Sequence, residues 1–423
     1  MFTSKIINKQ VIFLIFSLSL ILTSVAYSAD QDSFWPQFHG PNRDNISTEK
    51  GLLKKWPQNG PDLIWTTKGL GHGYSSISIV DRMIYTASSI GEHTVIIALN
   101  LEGKILWKVK NGKPWTGDGP GSRPGSRGTP TIDGNRLYHQ SPLGNLICLD
   151  AKTGDRIWQF NIIDKFKSKI PRWALSESLL VDGDRLISLP GGPQTSMVAL
   201  NKKTGAVIWK TPSIGEVAGY ASPALFEYKG LRIIKTLTSK SMIGVNADTG
   251  ELLWRIKHKS YADENVLMPI FHDGEVFIST LKAGSVKWKI NVKDGKVSLE
   301  EIWRTEELDN HHGGVILING NLYGTSTFRN RNLLVCLDWK TGRNKYMDKC
   351  VGKVSLTYAD GMLYALSIDG VMGLVRPTYM GHELVSSFEI PKGGKGNSWA
   401  HPVVCGGRLY IRHGEFLYAY SLR

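Results

Sequence analysis

Between Gly117 and Thr129 the chain reads Gly-Asp-Gly-Pro-Gly-Ser-Arg-Pro-Gly-Ser-Arg-Gly-Thr, which sets Arg123 and Arg127 four residues apart on a glycine-rich loop. Two guanidinium forks so placed can grip a carboxylate or a phosphate through paired hydrogen bonds; the same composition also suits a long solvated connection. Five other stretches carry side chains with chemistry: Arg172-Trp173 with Glu177, Tyr220, Asp263-Glu264, His311-His312, and Trp399 with His401. Trp173 and Trp399 have the faces to stack a planar or sugar ring, although indoles more often pack a core. Glu177 with Asp263 or Glu264 offers oxygen ligands of the kind a calcium ion takes, without a recognisable ligand spacing. His311 and His312, joined by His72 or His401, are metal-type ligands, but neighbours on a strand point to opposite faces, so the two are not expected to meet one ion. No metal site is therefore assigned. A nucleophile elbow, a phosphate loop and a zinc-hydrolase helix are all missing, and no catalytic residue can be named.

These residues fall at regular places, because the chain repeats. Leu149-Asp150-Ala151-Lys152-Thr153-Gly154-Asp155-Arg156-Ile157-Trp158 recurs as Ala199–Trp209 and Gly244–Trp254, in shorter form up to Trp107, and in part from Cys336 to Gly342. Each copy is an apolar run, Asp or Asn, Thr-Gly, and a second apolar run with an aromatic, which is a β-hairpin with its turn chemistry written in. The closing aromatics are Trp65, Trp107, Trp158, Trp209, Trp254, Trp303, Tyr346 and Phe388, at steps of 42 to 51 residues. Asp-Gly or Asn-Gly at 133, 182, 273, 319 and 360 marks a second hairpin inside five of the steps. Two hairpins per unit make a four-stranded antiparallel sheet, the size of a propeller blade.

The pattern predicts an all-β, eight-bladed propeller over residues 61–423, with seven blades as the alternative should the last two repeats merge. Three strands remain after Phe388, and Leu63–Thr67 supplies a fourth, so the first strand should close the last blade and remove both open edges. The loops entering the innermost strands then gather at one mouth of the central channel, and those loops hold the residues named above. No segment shows a helical period.

Residues 1–29 read as a cleavable leader: Lys5 and Lys9, an apolar run from Val11 to Leu22, then small residues, with no cysteine there to carry a lipid. The expected location is thus exported, periplasmic or secreted, with residues 30–60 a Pro- and Gly-containing arm. The formal charge is +14 overall, and +12 once that leader's two lysines are removed, which favours anionic surfaces. Export argues against nucleic acid. Four cysteines, Cys148, Cys336, Cys350 and Cys405, are scattered singly and allow no pairing to be assigned.

The repeat Ala-x-Asn/Asp-x-x-Thr-Gly-x-x-x-Trp resembles the tryptophan-docking motif of the quinoprotein alcohol dehydrogenase-like propellers, built of pyrroloquinoline quinone (PQQ)-like repeats. Trp35-Pro36-Gln37-Phe38-His39-Gly40-Pro41-Asn42-Arg43 resembles a segment that opens many exported, BamB-like members. The likeness runs from about Trp65 to the C-terminus and implies the eight-bladed fold. For function it implies one of two things. The enzymes of the superfamily bind PQQ and Ca²⁺ with two adjacent cysteines, Glu and Asn ligands, a catalytic Asp and a stacking Trp; other members are cofactor-free scaffolds. This chain has no adjacent cysteines and no Trp-Gly-x-Asp stretch. The expectation is accordingly a monomeric binding or scaffold protein of the cell envelope, without a cofactor. Its mouth residues Arg123, Arg127, Arg172, Trp173 and Trp399 would meet a protein or acidic polymer, with peripheral membrane contact. A polysaccharide-recognising module is a further option, and a PQQ- and Ca²⁺-dependent alcohol or sugar dehydrogenase with an atypical site is the alternative.

Overall fold

The computed structural model describes residues 34–117, 122–378 and 380–423. The predicted leader lies outside the described residues, as do 30–33 of the arm and 118–121 of the arginine loop. The described residues form eight blades of four antiparallel strands, in sequence order from the channel outward in blades 1 to 7, while blade 8 takes its outer strand from the start of the ring. Blade 1 starts at Ser78–Val80, blade 2 at Thr131–Asp133, blade 3 at Leu180–Asp182 and blade 4 at Ala224–Tyr228. Blades 5 to 8 start at Ile270–His272, Val315–Ile318, Val354–Ala359 and Val403–Cys405. Eight blades are present, so the seven-blade alternative is set aside. The outer strand of blade 8 is Leu63–Thr67, antiparallel to Phe416–Ser421, with Trp65 opposite Ala419.

The repeated sentence has a physical reading. In the turns after the third strands of blades 1 to 4 and 6 the Asp or Asn side-chain oxygen accepts from the backbone ahead of it; Asp150 Oδ1, for example, takes Lys152 N and Thr153 N, both at 2.9 Å. The indole of the preceding blade then docks on that turn. Trp65 Nε1 donates to Leu101 O at 2.8 Å, Trp107 to Lys152 O at 3.1 Å, Trp158 to Lys202 O at 3.1 Å and Trp209 to Ala247 O at 3.0 Å. The turn glycine is needed twice over. At Gly250 φ is +79°, and a Cβ would come within 2.7 Å of the Trp209 ring. A register shift recurs in all eight outer strands and stands just ahead of the aromatic in seven of them, blade 7 placing it ahead of Ser386; it adds the local twist that turns the ring toward its neighbour.

Trp254 breaks the pattern. Blade 5 replaces the Thr-Gly turn with a long ribbon, Gly284–Lys293 and Lys296–Thr305. The Trp254 indole N–H has no hydrogen-bond partner there. A helix not foreseen from the sequence, Ile162–Phe166, is too short to show a period; Asn161 caps it by accepting from Ile163 N and Asp164 N.

The arm lies across the channel. Trp35 exchanges 2.8 Å backbone bonds with Ile79 of blade 1, and Pro36 O accepts from Ile132 N of blade 2. Arg43 then reaches blades 3 and 4, donating to Ser178 O at 3.1 Å, to Pro223 O at 2.9 Å and to Leu179 O. Asn45 bonds Leu356 O and meets His401 Nδ1 at 3.1 Å. Ile46–Ser47 adds a fifth, parallel strand to blade 7. Glu49 closes on Gly406 N and Gly407 N of blade 8. One segment thus ties six blades together across the axis.

Candidate functional site

Above the arm the mouth loops enclose a cavity of about 250 Å³. Its floor is Phe38 and His39, whose rings stack 3.8 Å apart, with His401 4.5 Å from His39. The walls bring residues from seven of the eight blade-entry loops together: Tyr74, Arg123 and Arg127, Trp173 with Ser176, Tyr220, Glu264 with Leu267 and Met268, His311 and His312, and Trp399 with His401.

Nine of the twelve residues singled out in the arginine loop and the five other stretches line this space: Arg123, Arg127, Trp173, Tyr220, Glu264, His311, His312, Trp399 and His401. Three are placed elsewhere. Arg172 stacks on its neighbour Trp173, guanidinium to ring 4.8 Å, outside the cavity. Glu177 is buried below it, accepting from Gln140 Nε2 at 2.9 Å, Ser188 Oγ at 2.6 Å and Leu189 N at 3.1 Å. That carboxylate braces blades 2 and 3, and burial raises its pKa. Asp263, in a left-handed backbone conformation, leaves the cavity wall to Glu264.

The arginine loop is pinned rather than loose where it is described. Ser126 O accepts from Tyr74 N at 2.7 Å and from Ser75 N at 3.2 Å. Arg127 donates to Trp173 O at 3.1 Å and to Arg123 O at 2.6 Å, and lies 4.9 Å over the Trp115 ring. Burial brings its pKa down to about 10. A cation held in that way against aromatic faces attracts an anion strongly, since little water competes.

His311 and His312 do both face the cavity, contrary to the alternation argument. They sit in a bend ahead of Val315, where no strand geometry applies, with ring centroids 4.4 Å apart. His311 Nε2 lies 2.9 Å from Glu264 Oε2, and its Nδ1 2.9 Å from Lys353 Nζ. Burial lowers the Lys353 pKa to about 8. His39, His312 and His401 are all pushed down, chiefly by burial, and are neutral at pH 7. Trp399 joins this group, 4.5 Å from His312 and 4.9 Å from Tyr74.

The lining residues do not fit a calcium–quinone pair. Among the described residues Glu264 is the cavity's one carboxylate, and His311 occupies it. No three His, Cys, Asp or Glu side chains among the described residues converge as metal ligands. Cys148 and Cys336 are buried within blades 2 and 6, far from one another in the ring, as apolar core residues. Phe38 and His39 appear in the sequence only within the opening segment Trp35–Arg43, unmarked as site residues, and Lys353 is not singled out. An Arg set just after Phe-His-Gly-Pro-Asn was the one available signal for the first.

The profile of the family described as "Outer membrane protein assembly factor BamB" matches residues 91–347. A quinoprotein ethanol dehydrogenase of Pseudomonas aeruginosa is 30% identical over 130 residues, and outer membrane protein assembly factor BamB of Salmonella typhimurium is 30% identical over 152. Those alignments take in 30% and 33% of this chain, but 18% of the first relative and 35% of the second. Among solved structures, BamB from Moraxella catarrhalis superposes with a TM-score of 0.58 at 15% identity, covering 85% of this chain and 97% of that one. The quinohemoprotein alcohol dehydrogenase from Comamonas testosteroni gives 0.63 at 12% identity, covering 94% and 81%. At such identities the structural likeness speaks for the fold.

Proposed function

Because this chain belongs to the family of outer membrane protein assembly factor BamB, propellers that also resemble quinoprotein dehydrogenases, we propose that it is a binding and scaffold protein of the cell envelope rather than an enzyme. The observation that carries this reading is the mouth cavity itself. It combines a half-buried arginine, a ring of aromatics and a floor closed by the chain's own arm, and offers no nucleophile–base pair and no clustered metal ligands among the described residues. Such a surface recognises a partner through charge and aromatic contact. The partner is an acidic polymer or an acidic segment of a protein, drawn in by the net positive charge. Export to the envelope and a monomeric state belong to the same reading.

The test pits this against the dehydrogenase reading. Purified protein is incubated with PQQ and Ca²⁺, desalted, and assayed for dye reduction with simple alcohols and aldoses. The expected result is no quinone absorbance after desalting and no turnover; retained quinone with turnover would overturn the proposal.

A further inference from the structure

We propose that the mouth cavity holds one acidic sugar unit, a hexuronate, either free or as the end of an acidic polysaccharide; this rests on the binding reading above. Three observations point to it.

The first is charge. Arg127 is half-buried against Trp115 and Tyr74, and the groups that act on it electrostatically are Tyr74 and Tyr220, with no carboxylate among them. A cation flanked by aromatic faces and without a counter-ion favours an anionic occupant.

The second is the distribution of hydrogen-bonding groups. Tyr74 Oη, Trp173 Nε1, Ser176 Oγ, His312 Nε2 and Trp399 Nε1 belong to lining residues, are buried, and have no partner within the protein. Leaving a buried polar atom unmet is costly, so an occupant that satisfies several of them is favoured. These groups come from the loops of blades 1, 3, 6 and 8 and surround the space. A phosphate or a simple carboxylate would answer Arg127 and leave the others unmet. An aromatic acid would fill the space and still offer them nothing. A pyranose ring carries oxygens around its whole edge, a carboxylate at one position, and C–H faces that lie against Trp and Tyr rings. The Glu264 oxygen that His311 does not engage can accept from one of its hydroxyls.

The third is shape. At about 250 Å³ the cavity lies below the roughly 300–1,000 Å³ of sites for drug-sized ligands. Phe38 and His39 close it from below, so a chain can enter by its end but cannot thread through.

Calorimetric titration of the full chain tests this with glucuronate, galacturonate, trigalacturonate, glucose, acetate, benzoate and an oligoglutamate peptide. The expected result is binding of a uronate at least tenfold tighter than glucose, acetate, benzoate or the peptide, with loss of at least tenfold in Arg127→Gln and in Trp399→Ala. A trimer that binds at least as well as the monomer identifies a polysaccharide end as the source; a trimer that binds worse identifies the free sugar. Equal binding of glucose, of the simple acids or of the peptide would overturn the proposal, as would no uronate binding at millimolar concentration. The titrations of the unsubstituted protein decide the matter even if a variant fails to fold. Absence of uronate binding leaves the scaffold reading standing, whereas quinone turnover removes that reading itself.

Discussion

Arg43→Met is expected to lower the folding free energy by about 3–5 kcal/mol, the cost of breaking a buried, hydrogen-bonded charge by removing one side of it. The Arg43 guanidinium donates to three backbone carbonyls, those of Ser178, Leu179 and Pro223, and to Gln37 Oε1 at 2.8 Å. Burial already brings its pKa down to about 9, with Glu177 acting in the other direction. Methionine fills the volume but leaves three carbonyls of blades 3 and 4 unpaired and Glu177 without its nearby cation. Lysine should rescue little, since one ammonium cannot reproduce the fork. The checks are the urea midpoint and limited proteolysis. We expect a lower midpoint together with new cleavage between residues 34 and 60. A loss below about 1 kcal/mol with the arm still protected would mean that the arm is held by its strand on blade 7 and by Glu49 instead.

Trp209→Ala should cost a similar amount, about 3–5 kcal/mol, as large-to-small replacements of buried tryptophan do. Its ring is only 8% exposed, packs on Gly250, and donates to Ala247 O. The indole joins blade 3 to blade 4 beside their shared apolar cluster, and in a ring of repeats each interface is a separate link. The half-buried Trp107 makes the same bond at 3.1 Å, so Trp107→Ala should lose distinctly less. Thermal or urea unfolding of the two variants side by side measures the difference. Equal losses would show that burial of the indole is not what sets the strength of the joint.

The ring was legible in the sequence because its determinants are local. Asp150, Thr153 and Gly154 build a turn from neighbouring atoms, and the spacing from Trp107 to that turn is fixed by one blade's length. Closure by Leu63–Thr67 followed from counting strands. The Trp254 exception was hidden, since its cause is the length of the next blade's hairpin, which turn residues alone do not announce.

The mouth was legible only in part. Residues on loops that enter the innermost strands were found by topology, and Arg127, Trp173 and Trp399 do line one space. What topology could not supply was side-chain direction. Arg172 and Arg127 look alike in sequence, yet one stacks outside the cavity and the other is pinned, half-buried, in its wall. Glu177 reads as a ligand because it lies in a mouth loop, but Gln140, Ser188 and Leu189 engage it below the cavity, contacts 11 to 37 residues apart. The floor was missed for the same reason: Phe38 and His39 precede the first repeat and meet the mouth only once the arm has crossed the channel.

That difference between Arg172 and the loop arginines also gives the most direct test of whether partners enter this mouth. Retention on an immobilised acidic polymer should be measured for the unaltered protein, for Arg123→Ala combined with Arg127→Ala, and for Arg172→Ala. At constant ionic strength, binding should weaken at least tenfold in the double variant and stay unchanged in Arg172→Ala. Equal weakening in both, or in neither, would contradict a cavity-centred site and assign the affinity to the diffuse charge of the surface.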